Sequence, residues 1–278
     1  MKTFFFGDIH GNIWALEAVL RHADNLHADR LVCLGDWVGW LPFGDRTYER
    51  MIRLDIPSVS GNHDLMVAGV FPDHLHQTDR MQASAYNSAL LSCRYPKNEA
   101  LLTLARLPLR LDYPGMTVVH HSPFSLPKDG EAPAIIHFPY LDVKTLDASL
   151  SAWTQYPVPL IVSGHDHIPA VFELRKETAG CDAPADRLVV HQPKEEAVFT
   201  VRMREGNRYW VKTGSVGGPY RDGVFAANCL VVDDGNATLS LHRIAYDAAQ
   251  LRRNLAENRY FQHIHALDGY RESARADR

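Results

Sequence analysis

Eight residues of this 278-residue chain could do metal or acid–base chemistry, and each stands where an apolar run ends: Asp8, His10, Asp36, Asn62, His63, His120, His165 and His167. The first run, Lys2-Thr3-Phe4-Phe5-Phe6, empties into Gly7-Asp8-Ile9-His10-Gly11-Asn12. In extended backbone, positions i and i+2 point to the same side, so Asp8 and His10 can converge while the flanking glycines keep that point uncrowded. Taken alone, such a pair is more often a capped loop than half of a metal site. The pattern then recurs. Arg30 to Leu34 runs into Gly35-Asp36, Ile56 to Ser60 into Gly61-Asn62-His63-Asp64, Met116 to Val119 into His120-His121-Ser122-Pro123, and Leu160 to Ser163 into Gly164-His165-Asp166-His167. Apart from one histidine, these groups make a complete ligand set for two metals. Carboxylate, imidazole and amide oxygen together suit Mn²⁺, Fe or Zn²⁺. Two cations about 3.5–4 Å apart need a bridge, and the middle acid, Asp36, has the two oxygens for it.

These groups need elements that bring five strand ends to one place. Asn12 reads as the N-cap of a helix whose apolar positions Ile13, Leu16, Val19, Leu20 and Ala23 follow a helical period. Further helices are predicted over Thr47 to Leu54, Gln82 to Leu107 with a break at Pro96, Asp142 to Trp153 and Ala248 to Phe261. Alternating strands and helices predict a mainly parallel sheet, and open α/β sheets bind ligands at the carboxyl ends of their strands. After Pro169, the β-rich segments Ala170 to Leu174, Leu188 to His191, Ala197 to Arg202 and Tyr209 to Val211 predict a second sheet, with Lys176 to Arg187 a surface loop between two of them. Cys229 to Val232 and Thr238 to His242 close a hairpin. No linker divides the chain, so residues 1–278 are expected to be a single domain with 244–278 as a C-terminal helical tail.

Composition narrows the function. Apolar residues make up 46% of the chain, ample for a core, and the formal net charge of -4 comes without a block of like charges. That argues against a nucleic-acid or membrane surface and for a small diffusible substrate. Cys33, Cys93, Cys181 and Cys229 are scattered without a CxxC pair and read as reduced thiols, and no apolar run reaches about 18 residues. A cytoplasmic protein is expected; the sequence assigns no oligomeric state. Fifteen histidines are an unusual number and point towards metal.

The order Gly-Asp-x-His, Gly-Asp, Gly-Asn-His-Asp, His and Gly-His-x-His resembles the calcineurin-like metallophosphoesterase superfamily over roughly Met1 to Arg243. The turn Gly214-Ser215-Val216-Gly217-Gly218-Pro219 is similar to one in the family's bacterial phosphodiesterase branch. The resemblance implies an α/β fold, a four-layer αββα sandwich of two mixed β-sheets flanked by helices. It implies two divalent cations, Mn²⁺ foremost with Fe, Zn²⁺ or Ni²⁺ as alternatives. Asp8, His10, Asp36 and His167 would hold one; Asp36, Asn62, His120 and His165 would hold the other. It assigns His63 as general acid or phosphate contact. Physical reasoning agrees, because in-line attack by a metal-bridging hydroxide needs a proton delivered to the leaving alkoxide. The expected activity is a metal-dependent phosphoric ester hydrolase acting on a phosphodiester or phosphomonoester of a small molecule, such as a nucleotide. Protein phosphatase or dinucleoside polyphosphate hydrolase activity is the alternative, and a non-catalytic scaffold a more distant one.

Departures and neighbours leave further expectations. His121 stands where the family usually has glycine, so His120 and His121 compete for one ligand position; alignment favours His120. Arg221 and Asn62 are candidate substrate contacts, although Arg221 reads equally well as a solvated side chain. The Gly214 to Pro219 turn offers N–H groups for an anion or is simply tight. Trp37 and Trp40 could stack on a base, though packing is the commoner role. Residues 188–208 could wall or cover the site, or add a hairpin to the second sheet. Asp64 is expected to cap a turn, and His74, His76, His137, His191, His263 and His265 to stand outside the site.

Overall fold

Three consecutive phenylalanines make β1 (Lys2–Phe6) a strand that is buried on both faces. The computed structural model in which it lies describes residues 1–70, 78–141, 143–176, 187–258 and 264–272. Strand β1 pairs in parallel with β2 (Arg30–Cys33) and antiparallel with β10 (Ala227–Asp233), which continues to β11 (Thr238–Ile244) and β8 (Val198–Arg202). A second sheet runs β3 (Arg110–Tyr113), β4 (Met116–Val119), β5 (Leu160–Ser163), β9 (Arg208–Lys212), β6 (Ala170–Leu174) and β7 (Leu188–His191). In it β4, β5 and β9 are mutually parallel and the outer pairs antiparallel.

The two sheets face each other across Phe5, Val32, Leu230 and Leu239 from the first and Val118, Val162 and Val211 from the second. Helix α1 (Ile13–Asn25) covers the outer face of the first sheet, with Leu16 and Val19 on Phe4 and Phe6. The Asn12 side chain caps it, accepting from Ala15 N at 3.2 Å. Helix α6 (Val143–Thr154) covers the second sheet, where Trp153 and Trp210 meet edge to face. The result is the expected αββα sandwich of two mixed sheets. Helices α2 (Gly44–Leu54), α3 (Asn62–Val67), α4 (Asp79–Arg94) and α5 (Glu99–Arg106) fill the connection between the sheets, and α7 (Ala248–Ala256) and α8 (Asp268–Glu272) form the tail. The break at Pro96 is a short 3₁₀ turn between α4 and α5.

Three expectations change. The sheets are not filled in chain order: β4 and β5 share a sheet with β6, β7 and β9, whereas β8 crosses to the first sheet. Partner choice across the sandwich is a long-range matter that strand propensity does not encode. Ile56 to Ser60 is not a strand but one parallel bridge, Ser58 to Cys33; Pro57, without an N–H, offers only its carbonyl to Cys33 N. Residues 188–208 form no single hairpin, since β7 edges one sheet and β8 the other. The expected loop Lys176 to Arg187 lies almost wholly outside the described residues, as do Cys181, His74, His76 and His263.

Candidate metal centre

The four strand ends and the Gly61 turn that opens α3 do converge, at the rim shared by the two sheets rather than along one parallel sheet. Asp8, His10, Asp36, Asn62, His63, His120, His165 and His167 are all buried, none more than 6% exposed. Their convergence does not come from extended-strand alternation. Asp8 and His10 both have φ of 51°, Asp36 53°, His165 72° and His167 63°, all in the left-handed region. That conformation costs a side-chain-bearing residue about 1–2 kcal/mol, and here the cost is concentrated where the donors meet. Neighbouring backbone holds the turns: Ile9 N and His10 N both donate to Asp36 O, at 2.8 and 2.9 Å, and His165 N donates to Asp8 Oδ2 at 2.9 Å. Two glycines are required by proximity. A Cβ on Gly61 would collide with Asp36 Oδ1, and one on Gly164 with Asp8 Oδ2.

Three ligand-type groups lie within reach of single cations: Asp8, His10 and His167; Asp8, Asp36 and His120; and His10, Asp36 and His63. Asp36 Oδ2 is 3.6 Å from His10 Nε2 and 3.3 Å from His120 Nε2, so it faces both halves of the cluster. His167 Nε2 is 3.0 Å from His10 Nε2 and 3.4 Å from Asp8 Oδ1.

Whether the cluster fits cations follows from where its protons are. His120 Nδ1 must donate to Leu34 O at 2.7 Å, and His165 Nε2 to Phe138 O at 3.0 Å, because a carbonyl only accepts. In the neutral imidazoles His120 Nε2 and His165 Nδ1 are then lone pairs, 3.2 Å apart, and each meets Asn62 Oδ1, at 3.2 and 3.0 Å. Three acceptors in contact without a proton are repulsive unless a positive charge sits among them. His167 is oriented the same way, its Nδ1 donating to Pro219 O at 2.8 Å. Backbone carbonyls that fix the tautomer of an inward-facing imidazole are what metal-binding histidines use. On the other side Asp8 Oδ1 is buried with no hydrogen-bond partner.

The electrostatics agree. Burial drives the imidazoliums of His10 and His165 well below the ordinary histidine range. Burial would do the same to His120, but Asp36, with help from Asp8 and the Leu34 carbonyl, outweighs it and lifts the group to about 10. In the metal-free protein a proton on His120 Nε2 thus supplies the positive charge that these acceptors demand and that a cation would replace. Burial opposes ionisation of Asp36, yet His120, His63 and His10 hold it well below the carboxylate range. The donors fit divalent cations in chemistry, tautomer and charge demand.

The residues around them sort clearly. His120 is in the cluster; His121 instead turns its Nε2 to Ser125 Oγ at 3.0 Å and lays its ring on Phe138. Asp64 accepts from Asp36 N, Trp37 N and Gly61 N at 2.7, 2.9 and 3.1 Å, so it fixes the loop carrying Asp36 as well as capping α3. Asp64→Ala is expected to lower stability by about 3 kcal/mol or more, read by urea unfolding of the metal-free protein, because four buried amides, those of Asp36, Trp37, Val38 and Gly61, lose their acceptor. The Gly214 to Pro219 turn has no N–H free at its centre for an anion: Val216 N and Gly217 N donate to Gly7 O and Asp8 O, and Gly218 N to Ser215 Oγ. It is a tight turn that braces the first strand end. Trp37 packs inside, donating to Ser58 Oγ, and Trp40 lies on His63 with ring centres 5.2 Å apart. His191 pairs with Glu173 and His137 with Glu131, and His265 is exposed. Arg221 is not simply solvated. Its guanidinium lies 4.6 Å from the Tyr140 ring centre and donates to Tyr140 Oη, and Tyr140 in turn stacks on His165 at 4.9 Å. Tyr140 had no signal in the sequence, being one aromatic in a loop.

A two-sheet sandwich that gathers acid, imidazole and amide donors at the sheets' common rim defines the metallophosphoesterase class. A family model for the calcineurin-like phosphoesterase superfamily domain matches residues 1–219, and the chain belongs to that superfamily. An uncharacterized protein of Methanocaldococcus jannaschii is 29% identical over 254 residues, covering 91% of this chain and 90% of that protein. A metallophosphoesterase from Sphaerobacter thermophilus superposes with a TM-score of 0.71 at 26% identity, over 96% of this chain and 99% of that one. A hypothetical protein of Pyrococcus horikoshii superposes with a TM-score of 0.64 at 16% identity, over 96% of both chains, which concerns the fold alone. Among the described residues no helix is long and apolar enough to cross a membrane.

Proposed function

We propose that this chain is a dinuclear metal-dependent phosphoesterase that hydrolyses a phosphodiester or phosphomonoester of a small molecule. Asp8, His10, Asp36 and His167 hold one cation, and Asp36, Asn62, His120 and His165 the other. The observation that carries this is the contact of three lone-pair acceptors, His120 Nε2, His165 Nδ1 and Asn62 Oδ1, beside a partnerless Asp8 Oδ1. When bound, such cations neutralise phosphoryl charge and lower the pKa of a water for in-line attack. The protein's own groups do the rest. His63, buried beside His10 and pushed down to about 4 by burial, is neutral at pH 7 and gains proton affinity when a phosphate brings negative charge. It is then placed to protonate the leaving alkoxide, while Asn62 and Arg221 contact the ester. Mn²⁺ is the expected native metal and the cytoplasm the expected compartment; the described cysteines, Cys33, Cys93 and Cys229, are all free thiols. The tail belongs to the same domain in this reading, since Tyr270 donates from its hydroxyl to Gly217 O.

The test is hydrolysis of bis-p-nitrophenyl phosphate and p-nitrophenyl phosphate by chelated protein before and after Mn²⁺, Fe²⁺, Zn²⁺ or Ni²⁺ is restored. Chelation is expected to abolish turnover and Mn²⁺ to restore it; absence of turnover with every cation would overturn the enzyme reading and favour a scaffold.

A further inference from the structure

Beside the His165 end of the cluster a cavity of about 450 Å³ opens on the face of the second sheet that α6 covers only in part. Its floor is apolar: Ala170 and Phe172 of β6 and Leu188 and Val190 of the edge strand β7, with Phe172 and Val190 directly paired. Among its described lining residues the buried charges, Lys212 and Asp166, neutralise each other in an ion pair at 2.5 Å. At its mouth stand Tyr140 and Arg221. Two of these lining residues tie the cavity to the metal centre. Asp166 lies between His165 and His167 in the chain, and the Tyr140 ring stacks on His165, nearly parallel at 20°. The space therefore begins one aromatic ring away from a cluster donor.

This arrangement suits an amphiphilic ligand: an anionic head at the cluster, with the Arg221 guanidinium beside it, and a flat apolar arm running over Tyr140 into the cavity. Which arm follows from the position of the acid. His63 packs on the rings of His10 and Trp40, whereas Tyr140 packs on the ring of His165. The alcohol that leaves must be within reach of His63, so the group directed over His165 is the one that stays on phosphorus. We infer that the cavity is a binding site for the retained aromatic or apolar arm of a phosphodiester, and that it makes the enzyme prefer diesters carrying such an arm. The inference rests on the phosphoesterase reading and narrows it, because a monoester has no second arm and leaves the cavity empty.

The experiment uses ligands that cannot be hydrolysed alongside a matched substrate pair. By calorimetry on the Mn²⁺-loaded protein, phenylphosphonate is expected to bind about tenfold or more tightly than methylphosphonate, the worth of burying one ring. In turnover, bis-p-nitrophenyl phosphate is expected to be favoured over methyl p-nitrophenyl phosphate, which has the same leaving group and a retained methyl. Val190, 52% exposed on an edge strand, can be enlarged without entering the core. Val190→Trp is expected to reduce both preferences about tenfold and to leave methyl p-nitrophenyl phosphate turnover within about twofold. Equal affinity for the two phosphonates in the unaltered protein would overturn the inference, as would a preference that survives Val190→Trp. If every ester is inert under every cation the phosphoesterase reading fails; if esters turn over with no preference for the aromatic arm, only the cavity assignment does.

Discussion

Asp36→Asn is expected to reduce bound metal from two ions per chain to at most one, and to lower kcat/KM by more than about a thousandfold, some 4 kcal/mol of transition-state stabilisation. Asp36 Oδ1 is occupied by the backbone N–H of His63 at 2.8 Å, which leaves Oδ2 to face His10 Nε2 on one side and His120 Nε2 on the other. Among the described residues no other carboxylate oxygen is that near to both halves; Asp8 Oδ1 is 3.8 Å from His10 Nε2 and 4.0 Å from His120 Nε2. Asparagine preserves the shape and removes the charge, so the loop carrying it stays anchored on Asp64 while the carboxylate that would be shared by two cations is lost. The metal-free variant should be less stable than the metal-free parent at neutral pH, since the carboxylate that His120 holds ionised is gone and the buried His120 imidazolium loses its partner. Elemental analysis after dialysis and melting in chelator test both parts. Two tightly held ions in the variant would show that Asp36 does not bridge.

The donors were legible in the sequence because strand ends leave a strong local pattern: a branched or aromatic apolar run stopped by glycine, then aspartate, asparagine or histidine. Asp36 and His165 could be found that way without knowing which sheet each strand joins. The geometry that makes them work could not. His120 and His165 are set by the carbonyls of Leu34 and Phe138, and His167 by that of Pro219; every residue has a carbonyl, so nothing in the residue types marks those three. Even the convergence of Asp8 and His10 was anticipated for the wrong cause, since left-handed backbone rather than strand alternation turns them inward.

Sheet membership was likewise hidden. The segments after Pro169 read correctly as strands, yet β6, β7 and β9 extend the sheet begun by β4 and β5, and β8 joins β11 across the sandwich. This interleaving has a functional consequence. Because β6 and β7 lie next to β9 and not in a separate sheet, their apolar face continues outward from the metal rim, and the cavity beside His165 exists at all. Residues 188–208, expected to wall or cover the site or to add a hairpin, line that cavity through Leu188 and Val190.

His63→Ala is expected to keep both metal ions and to lose turnover by an amount that depends on the leaving group. The imidazole lies edge-on to His10 with ring centres 4.7 Å apart, its Nδ1 is buried without a hydrogen bond, and only its backbone N–H supports Asp36. Removing the side chain therefore leaves the main-chain contact that positions the Asp36 carboxylate. General acid catalysis is worth about 10²–10⁴-fold when a strongly basic alkoxide departs and much less when the departing group is already stable as an anion. Phenyl and alkyl esters should thus lose about a thousandfold, and p-nitrophenyl esters about tenfold. A loss equal for both leaving groups would make His63 a phosphate contact with no proton to give. Loss of a metal ion would give a third answer, because His63 also lies within reach of a cation shared with His10 and Asp36. Turnover across a leaving-group series, measured beside metal content on the same preparation, separates the three, since an acid steepens the dependence on leaving-group pKa when removed, a phosphate contact shifts it in parallel, and a ligand takes an ion with it.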